Sequence, residues 1–274
     1  MLELTGVAGN PRLEDAFAAV PRERFLGPPP WRFAANTAPW RDLATDDPAD
    51  IYQDVVIPLD PERGVNNGSP SLHALWLDAL APQPGERVAH LGAGTGYYTA
   101  ILATLAGPDG RVLAIEVDRR LAERARDNLA EFGNVTVVTG NAAEYPDAAA
   151  DGIYVNFGVE RPVARWIDQM ADGGRLVFPL GYLRHDPFPG ITGGGFRIER
   201  HGEAFSAAYL GPAAFVGDAC APDEPAAYRK RLRAAFSDDA IERIRSFRWK
   251  CATPPEHCWF GDGDWAFGYE PVAA

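Results

Sequence analysis

The stretch VAHLGAGTGYYTA, residues 88–100, places three glycines within five positions directly after a short apolar run. The residues before the glycines have the pattern of a buried strand, and a helical pattern begins at Tyr97. Glycine adopts positive φ angles and lets a ligand approach the backbone, while the first turn of a helix presents free N–H groups. The segment predicts a strand, a glycine turn and a helix that together bind a nucleotide or a carboxylate.

The spacing of the glycines separates two classes of ligand. Gly92, Gly94 and Gly96 follow the pattern G-x-G-x-G, and Tyr97 stands where the dinucleotide fingerprint G-x-G-x-x-G requires its third glycine. Glu116 ends the next strand-like run, at the place of an acid that accepts ribose hydroxyls. The pattern favours S-adenosyl-L-methionine over a nicotinamide cofactor. The alternative for Glu116 is a helix N-cap.

Charge and hydropathy exclude several classes of function. The chain has 274 residues and a formal net charge of −12, which argues against a nucleic-acid partner. The one basic segment, YRKRLR at residues 228–233, is typical of a solvated helix face. The sequence has neither an apolar run long enough to span a membrane nor a basic and apolar leader. We therefore expect a cytoplasmic protein without a membrane segment.

The cysteines indicate neither a disulfide framework nor a metal site. Cys220, Cys251 and Cys258 are odd in number and lack C-x-x-C spacing. His257 is adjacent to Cys258, but neighbouring side chains on a strand point to opposite faces. We therefore expect no bound metal ion.

Between about residues 69 and 180, helical patterns alternate with short strand-like runs. This alternation predicts an α/β fold with a doubly wound, mostly parallel sheet, which binds ligands at the carboxyl ends of its strands. After Gly181 the pattern indicates an antiparallel continuation of the sheet, followed by a basic helix and an aromatic tail. The tail either covers a cleft or seals the core. We predict a helical and loop region at 1–68, the main domain at 69–215 and an extension at 216–274.

Six segments, taken in order, resemble the protein-L-isoaspartate O-methyltransferase family. They are AFAAVPRERFLGPPPW, IYQDVVIPL, PSLHALWLDAL, GERVAHLGAGTGYYTAILATLAGPDGRVLAIEVDRRLAERARDNL, NVTVVTGNAAE and DGIYVNFGVERPVARWIDQMADGGRLVFPLG. The resemblance covers about residues 15–181 and implies a class I S-adenosylmethionine-dependent methyltransferase fold.

The resemblance also implies roles for residues. In the family, the glycine turn wraps the methionine and ribose portion of the donor, the acid after the second strand holds the ribose, and residues after the third strand lie beside the adenine. The implied cofactor-binding residues are Gly92, Ala93, Gly94, Gly96, Tyr97, Glu116, Val117, Asn141 and Ala142. His73 matches a histidine near the methyl donor; its alternative role is a helix histidine packed against the core.

The acceptor loop, which we define as residues 64–70 (GVNNGSP), departs from the family pattern. Family members carry a Thr-x-Ser pair whose hydroxyls contact the substrate carboxyl group. Here Asn66 and Gly68 occupy those positions. Asn66 and Asn67 either donate amide N–H bonds to an acceptor carboxylate or supply turn conformations, which Asn favours. This departure puts isoaspartyl repair in doubt, but the donor-binding residues lie elsewhere.

The sequence therefore predicts an S-adenosylmethionine-dependent carboxyl O-methyltransferase with an altered acceptor loop. Its acceptor is an aspartyl, isoaspartyl or related carboxylate of a peptide, a protein or a small molecule. The predicted catalytic residues are Asn66, Asn67 and His73. The alternatives are a non-catalytic donor-binding module and a methyltransferase for another small molecule. The sequence does not determine the oligomeric state.

Overall fold

The computed structural model describes residues 7, 9–34, 39–184, 190–251 and 257–272. The chain forms two compact units, Met1–Ala142 and Ala143–Ala274. The predicted boundaries near residues 68 and 215 are not those of the compact units, and the three-part division stays a prediction.

The first unit begins with short elements that surround a small core of their own. These elements are α1 (Pro11–Ala19), a 3-10 helix (Arg22–Phe25), β1 (Arg32–Phe33), β2 (Arg41–Asp42), a second 3-10 helix (Pro48–Tyr52), β3 (Pro58–Asp60) and β4 (Val65–Asn66). The Asn10 side chain caps α1 by accepting the N–H of Leu13. The core contains Leu26, Trp31, Ile51, Val55 and Ile57, and Leu59 of β3 packs against it. Apolar side chains thus order a proline-rich segment that has little regular structure.

The rest of the first unit is a three-stranded parallel sheet with its helices. It consists of α2 (Pro70–Leu80), β5 (Arg87–Leu91), α3 (Tyr97–Ala106), β6 (Arg111–Glu116), α4 (Arg119–Asn128) and β7 (Val135–Thr139). The strands lie in the order β5-β6-β7, with Leu91 beside Ile115 and Glu116 beside Thr139. The register therefore places the carboxyl ends of the strands at one edge, where ligands bind in such sheets.

The second unit starts parallel and continues antiparallel. A 3-10 helix (Ala142–Glu144) spans the boundary, followed by β8 (Ala150–Val155), α5 (Ala164–Asp168), β9 (Met170–Arg184), β10 (Gly190–His201), β11 (Ala204–Phe215), α6 (Ala226–Ala235), a 3-10 helix (Asp239–Arg243), β12 (Ser246–Trp249), β13 (Cys258–Asp262) and β14 (Trp265–Gly268). Within the unit the strand order is β13-β14-β12-β11-β10-β9-β8. Among the named strands of the unit, β8 and β9 pair in parallel and the other strand pairs are antiparallel. The predicted antiparallel continuation is confirmed.

The aromatic tail seals the core of the second unit. The rings of Trp259 and Phe267 lie 5.4 and 4.7 Å from the ring of Phe196 on β10. Phe267 is completely buried. Aromatic rings at these separations contribute burial and edge or offset contacts. Of the two alternatives for the tail, the structure favours the seal.

The basic segment YRKRLR lies on α6, as predicted. Arg229 forms an ion pair with Glu160 at 2.7 Å, and Arg231 forms one with Asp262 at 2.9 Å. Tyr228 and Leu232 are buried. The helix therefore packs through one face and holds these two arginines in ion pairs.

Candidate functional site

The three glycines of the turn all adopt positive φ angles. The angles are 81° at Gly92, 57° at Gly94 and 96° at Gly96. A Cβ atom at position 96 would lie 2.7 Å from Cδ1 of Leu129, which is buried. The backbone N–H groups of Gly92 and Ala93 both donate to the carbonyl of Ile115 at 2.9 Å. The turn therefore requires glycine for its conformation, and at position 96 also for space.

Glu116 reaches into this turn from the end of β6. Its Oε2 accepts the N–H of Gly94 at 2.7 Å, and its Oε1 accepts the N–H of Asp118 at 2.9 Å. Burial raises the pKa of the Glu116 carboxyl, and the hydrogen bonds from Asp118 and Gly94 oppose that increase. A carboxylate has about four acceptor positions, so two backbone bonds leave room for further donors.

Glu116 is not a helix cap. The N-cap of α4 is Asp118, whose Oδ1 accepts the N–H groups of Arg120 and Leu121 at 2.9 and 3.1 Å. Asp118 also forms an ion pair with Arg63 at 2.5 Å. The N-cap alternative for Glu116 is therefore excluded, because the neighbouring residue performs that role.

The other residues predicted to bind the cofactor lie along the same edge of the sheet. Val117 is 45% exposed, and only it and Tyr52 are large exposed hydrophobic residues in the described part of the chain. Asn141 and the buried Ala142 follow β7, and Gly140 donates its N–H to the carbonyl of Glu116 at 3.0 Å. An apolar side chain exposed next to the acid predicted to hold the ribose suits the flat face of a purine.

In the acceptor loop, Asn66 is engaged locally. Its Oδ1 accepts the N–H of Gly68 at 2.8 Å, and its Nδ2 donates to the carbonyl of Gly64 at 3.0 Å. An asparagine that bonds the backbone two residues away stabilises a turn. The turn alternative is therefore the one that the contacts of Asn66 favour.

Asn67 has a different environment. It is 6% exposed, and its Oδ1 accepts an N–H from Nε of Arg22 at 3.0 Å. Arg22 is a buried guanidinium from the first 3-10 helix, 45 residues earlier in the chain. Arg22 is not among the site residues predicted from the sequence. Arg22 lies in PRERF, a segment that resembles the family and that also contains the buried Phe25. Its position in this segment is the sequence signal that could have identified it.

His73, on α2, closes the other side of the loop. It is 1% exposed, and its ring stacks on Tyr98 with 3.7 Å between centroids. Burial holds the pKa of His73 well below its usual value, with further lowering from the charges of His90 and Arg22. The imidazole is therefore neutral near pH 7. Both interpretations of His73, as a residue near the methyl donor and as a core histidine, are compatible with this position. Its ring is packed in the core and also borders the acceptor loop.

Gly68, at the position of the family's serine, packs closely against His73. A Cβ atom at Gly68 would lie 2.2 Å from Nε2 of His73, and the φ angle of Gly68 is 74°. A serine at this position would collide with the imidazole and strain the backbone. In this conformation, the loop therefore has no room for the family's serine.

The parallel β5–β6–β7 sheet, with a glycine turn after its first strand and a buried acid after its second, defines the chain as a class I methyltransferase fold. The predicted fold class is confirmed. The profile of one family, protein-L-isoaspartate(D-aspartate) O-methyltransferase, matches residues 1–189. The chain belongs to this family, and S-adenosyl-L-methionine, the predicted cofactor, is the methyl donor that the family uses.

Two relatives show how far the similarity extends. The chain is 36% identical to the protein-L-isoaspartate O-methyltransferase of Aeropyrum pernix over 185 residues, 66% of this chain and 64% of that protein. It is also 36% identical to the protein of the same name from Methylorubrum populi, over 79% of this chain and 92% of that protein. The match thus spans slightly less than two thirds of the first relative and most of the second.

Solved structures agree with the fold. A protein-L-isoaspartate O-methyltransferase superposes with a TM-score of 0.62 at 24% identity, over 90% of this chain and 69% of that one. A Plasmodium falciparum structure described as a beta-aspartate methyltransferase, in complex with S-adenosyl-L-homocysteine, superposes with a TM-score of 0.59 at 18% identity, over 79% and 94%. At these identities the likeness supports the fold alone.

Two further observations concern membrane segments and metal sites, neither of which the sequence predicts. Within the described ranges, no helix combines the length and apolar character needed to cross a membrane. In the same ranges, no three or more His, Cys, Asp or Glu residues group in a way that could hold a metal ion. The cytoplasmic location and the lack of a nucleic-acid partner stay predictions.

Proposed function

We propose that the chain is an S-adenosylmethionine-dependent carboxyl O-methyltransferase that acts on an aspartyl, isoaspartyl or related carboxylate of a peptide, a protein or a small molecule. The observation that carries this proposal is the carboxylate of Glu116, held 2.7 Å from the N–H of Gly94 inside the glycine turn. An acid fixed there by the backbone is preorganised to accept ribose hydroxyls.

The residues present fit the donor. Gly92 and Gly94 leave the backbone bare, Glu116 retains acceptor positions for the ribose, and Val117 offers an exposed apolar face for the adenine. S-adenosyl-L-methionine supplies an electrophilic methyl group on a sulfonium. This chain binds it, aligns the acceptor and excludes water from both.

The chemistry needs alignment more than a base. A carboxylate has a reference pKa near 4 and is already ionised at neutral pH. One carboxylate oxygen forms a bond to the methyl carbon while the sulfur–methyl bond breaks and its electron pair returns to sulfur. The products are a neutral ester and a neutral thioether, and no proton moves. A neutral His73 is compatible with this reaction, which requires positioning of the reactants.

Two other functions remain candidates. The changed acceptor loop is compatible with a donor-binding module without transferase activity, and with a methyltransferase for a different small acceptor. The contacts of Asn66 favour a turn, which weakens its assignment as a substrate contact. The assignments of Asn67 and His73 as residues near the acceptor stay proposals.

A labelled-methyl assay tests the proposed function. The protein is incubated with methyl-labelled donor and a panel of aspartyl and isoaspartyl peptides, and base-labile methanol is collected. We expect methanol release from wild type, which indicates an ester. Label that is stable to base would identify a different acceptor chemistry, and absence of transfer with intact donor binding would identify a binding module.

Glu116→Ala connects this activity to the proposed site. Loss of a charged acceptor costs about 1.5–3 kcal/mol, or roughly ten- to a hundredfold in donor affinity. The control is Glu123→Ala, because Glu123 lies on the exposed side of α4, in an ion pair with Arg119. Calorimetry with S-adenosyl-L-homocysteine gives both affinities, and equal binding by the Glu116 variant and wild type would remove Glu116 from the donor site.

A further inference from the structure

Arg22 is a buried cation whose guanidinium donates to uncharged oxygens. It is 1% exposed and donates to Oδ1 of Asn67 at 3.0 Å. Its other acceptors are backbone carbonyls of Ile51 at 2.6 Å, Val55 at 2.8 Å and Gly68 at 3.1 Å. Burial lowers the pKa of the guanidinium, although Tyr98, Tyr97 and Asp54 act in the opposite direction.

A buried cation usually has a carboxylate partner, since desolvation of an isolated charge is costly. Among the described residues, no carboxylate lies within 4.0 Å of the Arg22 guanidinium. Asp54 contributes only through its more distant charge; its Oδ1 accepts from Ser69 and from the N–H of Ser71. Next to the acceptor loop, Arg22 therefore carries a positive charge that no carboxylate of the described residues contacts.

The bond from Arg22 also fixes the orientation of Asn67. A carboxamide has an acceptor oxygen on one arm and a donor NH2 on the other. Because the guanidinium can only donate, it must face the oxygen, so the NH2 arm points away from Arg22. Asn67 therefore presents an N–H donor beside Gly68, whose carbonyl is held by the same guanidinium.

We propose that Arg22 is a positioning residue for the acceptor carboxylate, acting through Asn67. It turns the amide so that the NH2 arm faces the acceptor, and its charge offsets the desolvation of the acceptor anion. This inference rests on the proposed function and adds to it the residues that select an anionic acceptor. Methylation converts the anion into a neutral ester, so the same charge favours binding of substrate over binding of product.

This role predicts a split between two kinetic constants. Attraction to the acceptor anion lowers its KM, but it does not grow in the transition state, where the negative charge decreases. Loss of the interaction should therefore raise the acceptor KM and leave kcat nearly unchanged. A purely structural role would change stability and leave the acceptor KM as it is.

Asn67→Asp is the informative variant. It keeps the size of the side chain and an oxygen that accepts from Arg22. However, its carboxylate forms an ion pair with the buried guanidinium, and it lacks the NH2 donor. We expect the acceptor KM to rise at least tenfold, with kcat within threefold of wild type. We also expect S-adenosyl-L-homocysteine affinity within twofold of wild type and a Tm that does not fall, because the guanidinium gains an ion pair.

Asn66→Asp is the matched control. It adds the same charge one residue away, at a side chain bound to Gly68 and Gly64 instead of to Arg22. We expect its acceptor KM to rise less than that of Asn67→Asp, because the Asn66 amide bonds the loop backbone and not Arg22. An equal rise in both Asp variants would indicate general repulsion and overturn the role of Arg22. Arg22→Lys, which keeps the charge but not the forked geometry, should give an intermediate KM.

The probes are an isoaspartyl peptide and an aspartyl-rich peptide, each with labelled donor. Absence of ester formation by wild type with intact donor binding overturns the proposed function, and this inference with it. Ester formation by wild type with an unchanged KM in Asn67→Asp overturns the inference alone. If Asn67→Asp does not fold, Asn67→Ser, which also lacks the NH2 arm, must show the same rise in KM.

Discussion

In the glycine turn, residues 92–96, hydrogen bonds to the carbonyl of Ile115 and the carboxylate of Glu116 hold the backbone. In the acceptor loop, residues 64–70, one of the main bonds comes from Arg22, a side chain 45 residues away. The donor side therefore depends on local strand and turn geometry, whereas the acceptor side depends on tertiary packing. A larger residue in the acceptor loop must be accommodated by side chains from other segments, as the contact between Gly68 and His73 illustrates.

The largest expected effect is acid destabilisation from the histidines near the acceptor side. Burial lowers the pKa of His73 well below 6.5, and burial lowers the pKa of His90 to about 3. The unfolded chain binds these two protons below pH 6.5 and the folded chain does not, so stability falls as pH decreases from 6.5. His90 contributes about 1.4 kcal/mol per pH unit below 6.5, or roughly 2 kcal/mol at pH 5, and His73 acts in the same direction.

Urea unfolding at pH 7, 6 and 5 measures this slope. Glu116 acts with the opposite sign, because burial raises its pKa and makes protonation favourable to the folded state above its usual value of 4.5. His73→Gln should remove about half of the slope by removing one of the two protons. Stability that is constant from pH 7 to 5 would mean that the two imidazoles are accessible to protons in the folded state.

Gly96→Ala tests the glycine turn through its effect on the free energy of unfolding. The φ angle of 96° and the contact with Leu129 together should cost about 2–4 kcal/mol, the sum of left-handed strain and overpacking. Donor affinity should fall because the turn must move. Gly133→Ala is the control, since its Cβ would meet nothing within 4 Å. Equal unfolding midpoints for the two variants would contradict the packing described for the turn.

The strands and the glycine turn of the proposed donor site were predicted from the sequence because their determinants are close together in the chain. The strand-like runs before the glycines and at Glu116 are observed as the strands Arg87–Leu91 and Arg111–Glu116. Glycine spacing and a following acid are local patterns, and both lie at one edge of a parallel sheet. The fold and the family followed from such patterns.

The acceptor side could not be predicted to the same depth. Asn66 and Asn67 are adjacent and identical in type, yet one bonds the loop backbone and the other bonds Arg22. Neither the partner of Asn67 nor the stacking of His73 on Tyr98 follows from spacing, because these contacts join segments far apart in the sequence. The role of the aromatic tail also depends on contacts between distant segments. Its sequence is compatible with covering a cleft or sealing the core, and the packing of Trp259 on Phe196 favours the second role.

A smaller effect on stability is expected when Gly68 is replaced by the serine that the family carries at this position. Gly68→Ser should cost about 2–3 kcal/mol, because the side chain meets His73 and the backbone is left-handed. Wild type should methylate a generic isoaspartyl peptide weakly or not at all, and the serine alone should not restore turnover. In the double variant with His73→Ala, the steric part of the destabilisation should disappear. Efficient isoaspartyl turnover by wild type would show that amides replace the family's hydroxyls.

The smallest effect is expected at Asn66, where the two asparagines can be distinguished without a known acceptor. Asn66→Ala removes the bonds to Gly68 and Gly64 and should lower the unfolding free energy by about 1 kcal/mol, the usual value of a side-chain hydrogen bond. Asn67→Ala leaves the buried Arg22 with one acceptor fewer and should cost more, about 1–3 kcal/mol. Urea unfolding of the two variants gives the order. If Asn66→Ala is the more damaging change, the turn and not the buried guanidinium holds the loop, and the assignment of Asn67 as the oriented donor loses its physical basis.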